Sequence, residues 1–142
     1  MYSEFKAKAI RFLTLFCLIY LSFSGFSTAS GDDMAQNPMT GHLESVGLNG
    51  QGLVVHTVDS GPMGKSTSTV ISTSAGISPR LAISETGLTS VVWLESSGNV
   101  IYRMYDLPTR SWSTALTLTG AAETGTPPAI AAAGSNAWVD YE

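Results

Sequence analysis

The sequence predicts an all-β fold built from repeated antiparallel units, and three observations support this. After residue 41 no segment shows a convincing 3.6-residue apolar period. Short apolar or alternating runs are instead separated by Gly, Pro, Ser and Asn. A pattern also recurs 47 residues later, with Ala82-Ile83 matching Ala129-Ile130, Gly87 matching Gly134, Val92 matching Val139 and Glu95 matching Glu142. Self-similarity at such a period is typical of repeat architectures.

Residues 1–29 have the three parts of a signal peptide. Three cationic residues precede an apolar core, Phe12–Leu21, and Ser27-Thr28-Ala29 has the small-x-small form of a cleavage site. We expect cleavage after Ala29 and a secreted or periplasmic protein. The alternative is an uncleaved membrane anchor, but the apolar core is short for a span of about 20 residues.

The composition after Ala29 excludes several functional classes. The chain's single cysteine, Cys17, lies inside the signal peptide, so neither disulfides nor thiolate metal sites are expected beyond it. Four basic residues stand against ten acidic ones, a net charge of −6, and they form no basic patch. Binding to nucleic acid through phosphate neutralisation is therefore not expected.

The remainder divides into a leader and repeats. Residues 30–41 are polar and rich in turn formers, which predicts a flexible leader. Residues 42–142 are assigned to the repeats, about two and a half units, and the last unit ends in mid-strand, which favours a truncation. The first unit aligns with the second at an offset of 37, which places Gly50 on Gly87 and leaves a three-stranded or degenerate unit.

Residues 79–120 form the clearest unit, with four predicted strands separated by turns that contain Gly, Asn or Pro. The strands are Arg80–Ser84, Thr89–Glu95, Val100–Asp106 and Ser111–Leu118. Four antiparallel strands in one meander form a propeller blade. The third unit contributes at most two strands, Pro128–Ala131 and Ala137–Glu142.

This unit resembles one repeat of secreted bacterial sialidase-like β-propellers. The resemblance depends on Pro79, Gly87, Val91-Val92-Trp93, Tyr105-Asp106 and Trp112, and it covers somewhat under half of the chain. It implies an incomplete propeller, since a closed one needs at least four blades. Proteins with such repeats include lectin-like, adhesive and enzymatic ones, so the resemblance implies architecture more than activity.

No candidate motif predicts a catalytic, cofactor or metal site. Gly61–Ser66 is too short for a phosphate loop, and His42 and His56 lack further ligands at metal-binding spacing. Glu95 and Asp106, with Arg80, Arg103 and Arg110, match a sialidase only in residue type, since the family's Phe-Arg-Ile-Pro and Asp-box signatures are absent. Trp93, Trp112 and Trp138 are candidate sugar platforms, with burial between units as the alternative.

The sequence thus favours an exported, non-catalytic repeat protein whose binding surface accepts a glycan or a cell-surface protein, with binding residues undetermined. One alternative is a fragment of a larger propeller enzyme, and another is a truncated reading frame without independent function. The unpaired edge of strand Ala137–Glu142 also predicts self-association.

We predict that the mature protein begins at Ser30, about two residues either way, because signal peptidase cleaves after small residues that follow a short apolar core. N-terminal sequencing of the exported protein measures this directly. An intact Met1 in a membrane fraction would identify the segment as an anchor instead.

Overall fold

The computed structural model describes residues 33–61, 64–119 and 126–141. The predicted signal peptide and the first residues of the predicted leader lie outside them. The described residues form ten β-strands and no helix, so none of them belongs to a helix that could cross a membrane. The strands are β1 (Asp33–Gln36), β2 (Leu43–Leu48), β3 (Leu53–Asp59), β4 (Thr67–Ile83), β5 (Thr89–Glu95), β6 (Val100–Asp106), β7 (Ser111–Trp112), β8 (Leu116–Thr119), β9 (Ala129–Ala133) and β10 (Asn136–Asp140).

All the strand pairs are antiparallel, which confirms the all-β prediction. Strands β1 to β7 pair in chain order, β8 pairs with β6, and β9 and β10 form a separate hairpin. The long strand β4 pairs with β3 through residues 67–75 and with β5 through residues 76–83. We call β1, β2, β3 and residues 67–75 the first sheet, and residues 76–83, β5, β6, β7 and β8 the second sheet.

The two sheets repeat the same hairpin. In the first sheet Leu48 pairs with Val54, and in the second sheet Leu94 pairs with Val100, an offset of 46 residues. The connecting turns share a hydrogen-bond pattern, in which Gly52 donates its N–H to Asn49 as Gly98 does to Glu95. Both glycines adopt positive φ, 75° and 84°, which costs little without a Cβ. The offset of 37 inferred from the sequence is therefore wrong.

The first sheet has four strands. Its first strand, β1, lies within the segment that the sequence predicted to be a flexible leader. Asp33 is 1% exposed and accepts a hydrogen bond of 2.7 Å from the Leu81 N–H. Asn37 is fully buried. The prediction of a flexible leader is therefore wrong for residues 33–41, as is that of a three-stranded first unit. The buried residues at either end of β1 are polar, so the segment lacks the apolar signal of a strand.

Two predicted strands of the second sheet, Thr89–Glu95 and Val100–Asp106, are confirmed with the same first and last residues. Its predicted first strand is instead the end of the longer β4. Its predicted fourth strand is divided into β7 and β8, both of which pair with β6. A hydrogen bond from the Ser113 N–H to the Met104 carbonyl lies between the two pieces. Irregular pairing of this kind is common on the outer strand of a sheet.

Apolar side chains fill the space between the two sheets. Trp93, 1% exposed, is the largest of them. It packs over Gly76, where a Cβ would collide with Val54 and lie 3.0 Å from Trp93 Cδ1. The rest of this core consists of Val46, Val54 and Ile71 from the first sheet and Leu81, Val91 and Ile101 from the second.

The opposite face of the second sheet packs against the β9–β10 hairpin. The buried residues here are Val92, Leu94 and Val100, and Ile130, Val139 and Tyr141 pack against them. Strand β5 is consequently buried on both faces, which explains why Val91–Leu94 reads as a continuous apolar run.

The hairpin departs from the repeat at its turn. Ala133 pairs with Asn136 across a two-residue connection, whereas Ile83 pairs with Thr89 across a longer one. Within the described residues β10 pairs with β9 alone. The adjacent side chain of Trp138 is 57% exposed, and it lies on the side of β10 opposite Val139.

We predict that Trp93→Ala lowers the free energy of unfolding by about 3–5 kcal/mol, because it removes the largest side chain between the two sheets. Trp93→Phe should cost clearly less, since the buried Trp93 Nε1 has no hydrogen-bond partner to lose. Urea unfolding followed by circular dichroism measures both. A loss below about 1 kcal/mol for Trp93→Ala would contradict this packing role.

Candidate functional site

Glu44 and His56 form a buried polar pair on the inner side of the first sheet. Each is 3% exposed, and His56 Nε2 lies 2.8 Å from Glu44 Oε2. The pair is diagonal across β2 and β3, since the register places Val46 opposite His56. Such a carboxylate–imidazole pair is the side-chain combination on which acid–base chemistry often depends.

Every remaining partner of the Glu44 carboxylate is also buried. Asn37 donates a hydrogen bond of 2.6 Å to Oε1, and the Thr89 hydroxyl donates one of 2.8 Å to Oε2. Asn37 also donates to the Gly87 carbonyl at 3.2 Å. Because Gly87 and Thr89 belong to the second sheet or its turn, the network joins the two sheets.

Aromatic rings from the second sheet cover the imidazole. The Trp112 ring meets it edge-on with centroids 5.0 Å apart, and the Tyr105 centroid lies 6.2 Å away. The two aromatic rings contact each other at 5.4 Å. His56 is thus enclosed between the sheets, where a substrate would have to separate them to reach it.

The environment of Glu44 favours its ionised form. Burial alone would raise its pKa, but hydrogen bonds from His56, Asn37 and Thr89 outweigh burial and lower the pKa below its usual value. Asp33 shows the opposite balance. Burial raises its pKa despite the Leu81 N–H and the Arg80 guanidinium, whose Nη1 lies 3.9 Å from Oδ1.

The second sheet carries a related pair at the equivalent positions. At the offset of 46, Glu44 corresponds to Ser90 and His56 to Tyr102. The Ser90 hydroxyl lies 3.1 Å from the Tyr102 hydroxyl. A polar pair therefore recurs at one position of the repeat, which favours a structural role for Glu44 and His56 in joining sheets.

The structure separates the two carboxylates considered as a sialidase-like pair. Glu95 follows Leu94, which pairs with Val100, whereas Asp106 lies at the other end of β6. Six residues of strand separate them, roughly 20 Å at about 3.3 Å per residue. Glycosidase carboxyls lie about 5–10 Å apart, so these two cannot act on one bond.

Two of the three candidate arginines have structural partners. Arg103 donates to the carbonyls of Ile71 and Ser113, both at 2.7 Å. Burial lowers the pKa of its guanidinium. Arg80 lies near Asp33, and Arg110 is exposed in the turn after β6. Arg103 and Arg80 thus serve the contact between sheets.

The other candidate motifs show no assembled site. No group of three or more His, Cys, Asp or Glu side chains within the described ranges could hold a metal ion. His42 lies in the β1–β2 turn, and part of Gly61–Ser66 lies outside the described residues. Of the candidate sugar platforms, Trp93 is buried, Trp112 covers His56, and Trp138 is exposed.

A groove on the outer face of the first sheet is the open site that the sequence did not reveal. Its volume is about 300 Å³, and we call it the Gly47 groove. It is lined by Met34, Ser45, Val46, Gly47, Leu48, Asn49, Val55 and Thr57. By strand alternation Ser45, Gly47 and Val55 point away from the core that holds Val46 and Val54.

The repeat explains why this groove is open. At the offset of 46, Ser45 corresponds to Val91, Gly47 to Trp93 and Val55 to Ile101. The second sheet uses the three larger residues to pack against the first sheet. The first sheet has smaller side chains at these three positions, so a depression lies where the second sheet has a tryptophan. With the correct offset, the glycine in place of a tryptophan would have been visible in the sequence.

Comparison with known proteins found no matching family model, no matching curated protein and no matching solved structure.

We predict that Glu44→Gln destabilises the protein at pH 7 by about 2 kcal/mol, because it removes a charge that three buried groups hydrogen-bond. Since the folded-state pKa of Glu44 is lowered, its stabilisation is present above its unfolded pKa of about 4.3 and is lost as pH falls through the folded pKa. The difference between the two proteins should therefore shrink in acid.

Urea unfolding of both proteins at pH 7 and at successively lower pH measures this difference, and the common contribution of Asp33 cancels. Asp140→Asn, at an exposed position, serves as the control and should change stability by less than about 0.5 kcal/mol. A deficit in Glu44→Gln that persists unchanged in acid would contradict the role assigned to the carboxylate charge.

Proposed function

We propose that the chain is an exported, non-catalytic repeat protein, an incomplete β-propeller that binds a partner through the Gly47 groove. The observation that carries the proposal is the outer face of the first sheet, which no other sheet of the described residues covers. The inner face of that sheet packs against the second sheet, and the second sheet has both faces packed. The outer face of the first sheet carries the Gly47 groove.

The sheet order supports the propeller part of the proposal. Successive four-stranded antiparallel sheets pack face to face at a sequence offset of 46 residues. The connection through β4 leads from the outer strand of one sheet to the first strand of the next. This is how a meander of blades is joined, and such units stabilise one another through neighbouring faces.

The character of the groove face favours a protein partner over a glycan. Three large apolar side chains are exposed on it, with Met34 at 52%, Leu43 at 42% and Val70 at 51%. Exposed apolar surface of this kind marks protein interaction sites. Aromatic platforms, which stack on sugars, are absent from the groove lining.

The binding role predicts one saturable site for an apolar probe. We expect bis-ANS to bind the exported protein at the groove, and Ser45→Arg and Gly47→Trp to weaken its binding at least tenfold by filling the depression. Thr114→Arg adds the same charge at an exposed position outside the groove and should bind as the wild type does. Fluorescence titration at a concentration where light scattering reports a monomer gives the affinities.

Three results would contradict the proposal. Equal bis-ANS affinity in all four proteins would show that the groove is not a binding surface. Hydrolysis of a fluorogenic sialoside by the purified protein would show that it is an enzyme. Glycan-array binding that survives Ser45→Arg but is lost in Trp138→Ala would place the surface on β10 instead.

A further inference from the structure

The exposed face of the β9–β10 hairpin is unlike the other faces of the molecule. Trp138 is the largest exposed side chain there, and it pairs in register with Ala131. The neighbouring register pairs on the same face are Ala133 with Asn136 and Ala129 with Asp140. We call these six residues the Trp138 face. Its small alanines leave the indole as an isolated apolar projection.

The Gly47 groove has the converse shape. It is a depression with a glycine where the equivalent position of the second sheet carries Trp93. Thus one end of the stack of sheets carries a projecting tryptophan. The other end has a cavity at the position where the second sheet carries a tryptophan. The two surfaces lie on opposite sides of the molecule, so they cannot meet within one chain.

The molecule already contains a tryptophan that packs between two sheets. Trp93 of the second sheet lies over Gly76 of its own sheet and packs against Val54 of the neighbouring sheet. The absence of a Cβ at Gly76 lets the indole approach the backbone closely. A tryptophan that projects from one sheet into the apolar side chains of the next is therefore the way in which this chain joins two of its sheets.

We propose that the partner of the Gly47 groove is a second copy of this chain, whose Trp138 inserts over Gly47. This inference rests on the proposed binding role of the groove and names its occupant. The contact is heterologous, because each copy offers a projection at one end and a cavity at the other. Heterologous contacts form a ring where the rotation closes and an open chain of copies where it does not.

Apolar burial drives the association. An indole that is 57% exposed in the single chain would be enclosed, as would part of Met34, Leu43 and Val70 around the groove. The residues facing Trp138 would include Ser45 and Val55, both smaller than their counterparts in the second sheet. The contact also differs from edge pairing through β10, since it uses the face of that strand and not its backbone.

A mixing experiment tests the proposal with the exported full protein. Trp138→Glu removes the projection and leaves the groove, whereas Ser45→Arg blocks the groove and leaves the projection. We expect wild type to form concentration-dependent oligomers and each variant alone to stay monomeric, by light scattering after size exclusion. A 1:1 mixture of the two variants should form a heterodimer and nothing larger, because only one intact pair of surfaces remains.

The controls separate this contact from other causes. Thr114→Arg carries the same charge change as Ser45→Arg at an exposed site and should oligomerise as wild type does. Circular dichroism of each variant verifies its fold, and Gly47→Trp provides a second block of the groove. Oligomers that persist in either single variant would place the interface elsewhere, for example at the β10 edge.

The other outcomes also decide the question. A wild type that stays monomeric at all concentrations, or a mixture of variants that stays monomeric, would overturn the inference. If bis-ANS still bound the groove and Ser45→Arg still weakened bis-ANS binding, the proposed binding role would stand. Only the identity of the partner would then be wrong. Loss of both would remove the proposed function as well.

Discussion

The packing of β5 is the constraint on which the rest of the structure depends. An antiparallel sheet of three or four short strands cannot hide its apolar residues without a neighbour. Strand β5 lies in the middle of the second sheet and needs a packing neighbour on each of its two faces. Val91 and Trp93 pack toward the first sheet, while Val92 and Leu94 pack toward β9 and β10. The first sheet and the hairpin thus depend on the second sheet for their own burial.

Polar contacts then set how the first two sheets meet. Hydrophobic packing is non-directional, so it fixes the separation of two sheets better than their register. The Glu44 carboxylate accepts hydrogen bonds from residues on both sides of the contact, and Asp33 accepts one from Leu81. A buried carboxylate without these donors would be costly, so sliding of one sheet along the other is disfavoured. The same chemistry explains why His56 is enclosed by aromatic rings and not presented to solvent.

The repeat also explains why the outer face of the first sheet has a groove. The residues of the second sheet that pack against the first sheet have counterparts on the outer face of the first sheet. These counterparts have smaller side chains. This substitution pattern converts a packing face into a groove. Capping units of repeat proteins usually have a polar outer face, yet Met34, Leu43 and Val70 keep this one apolar.

The sequence by itself determined the fold class and the centre of the second sheet. The alternation and turn residues around Thr89–Glu95 and Val100–Asp106 place those strands to the residue, because local pattern and tertiary burial agree there.

The same reasoning missed β1, whose ends are buried through Asp33 and Asn37, since polar residues become interior only when distant donors and acceptors satisfy them. It also aligned the first unit at the wrong offset, and the glycine in place of a tryptophan went unnoticed. The Glu44–His56 pair and the separation of Glu95 from Asp106 were decided by tertiary structure alone. Each depends on which strands pair and which faces meet, and these follow from long-range burial that no local period records.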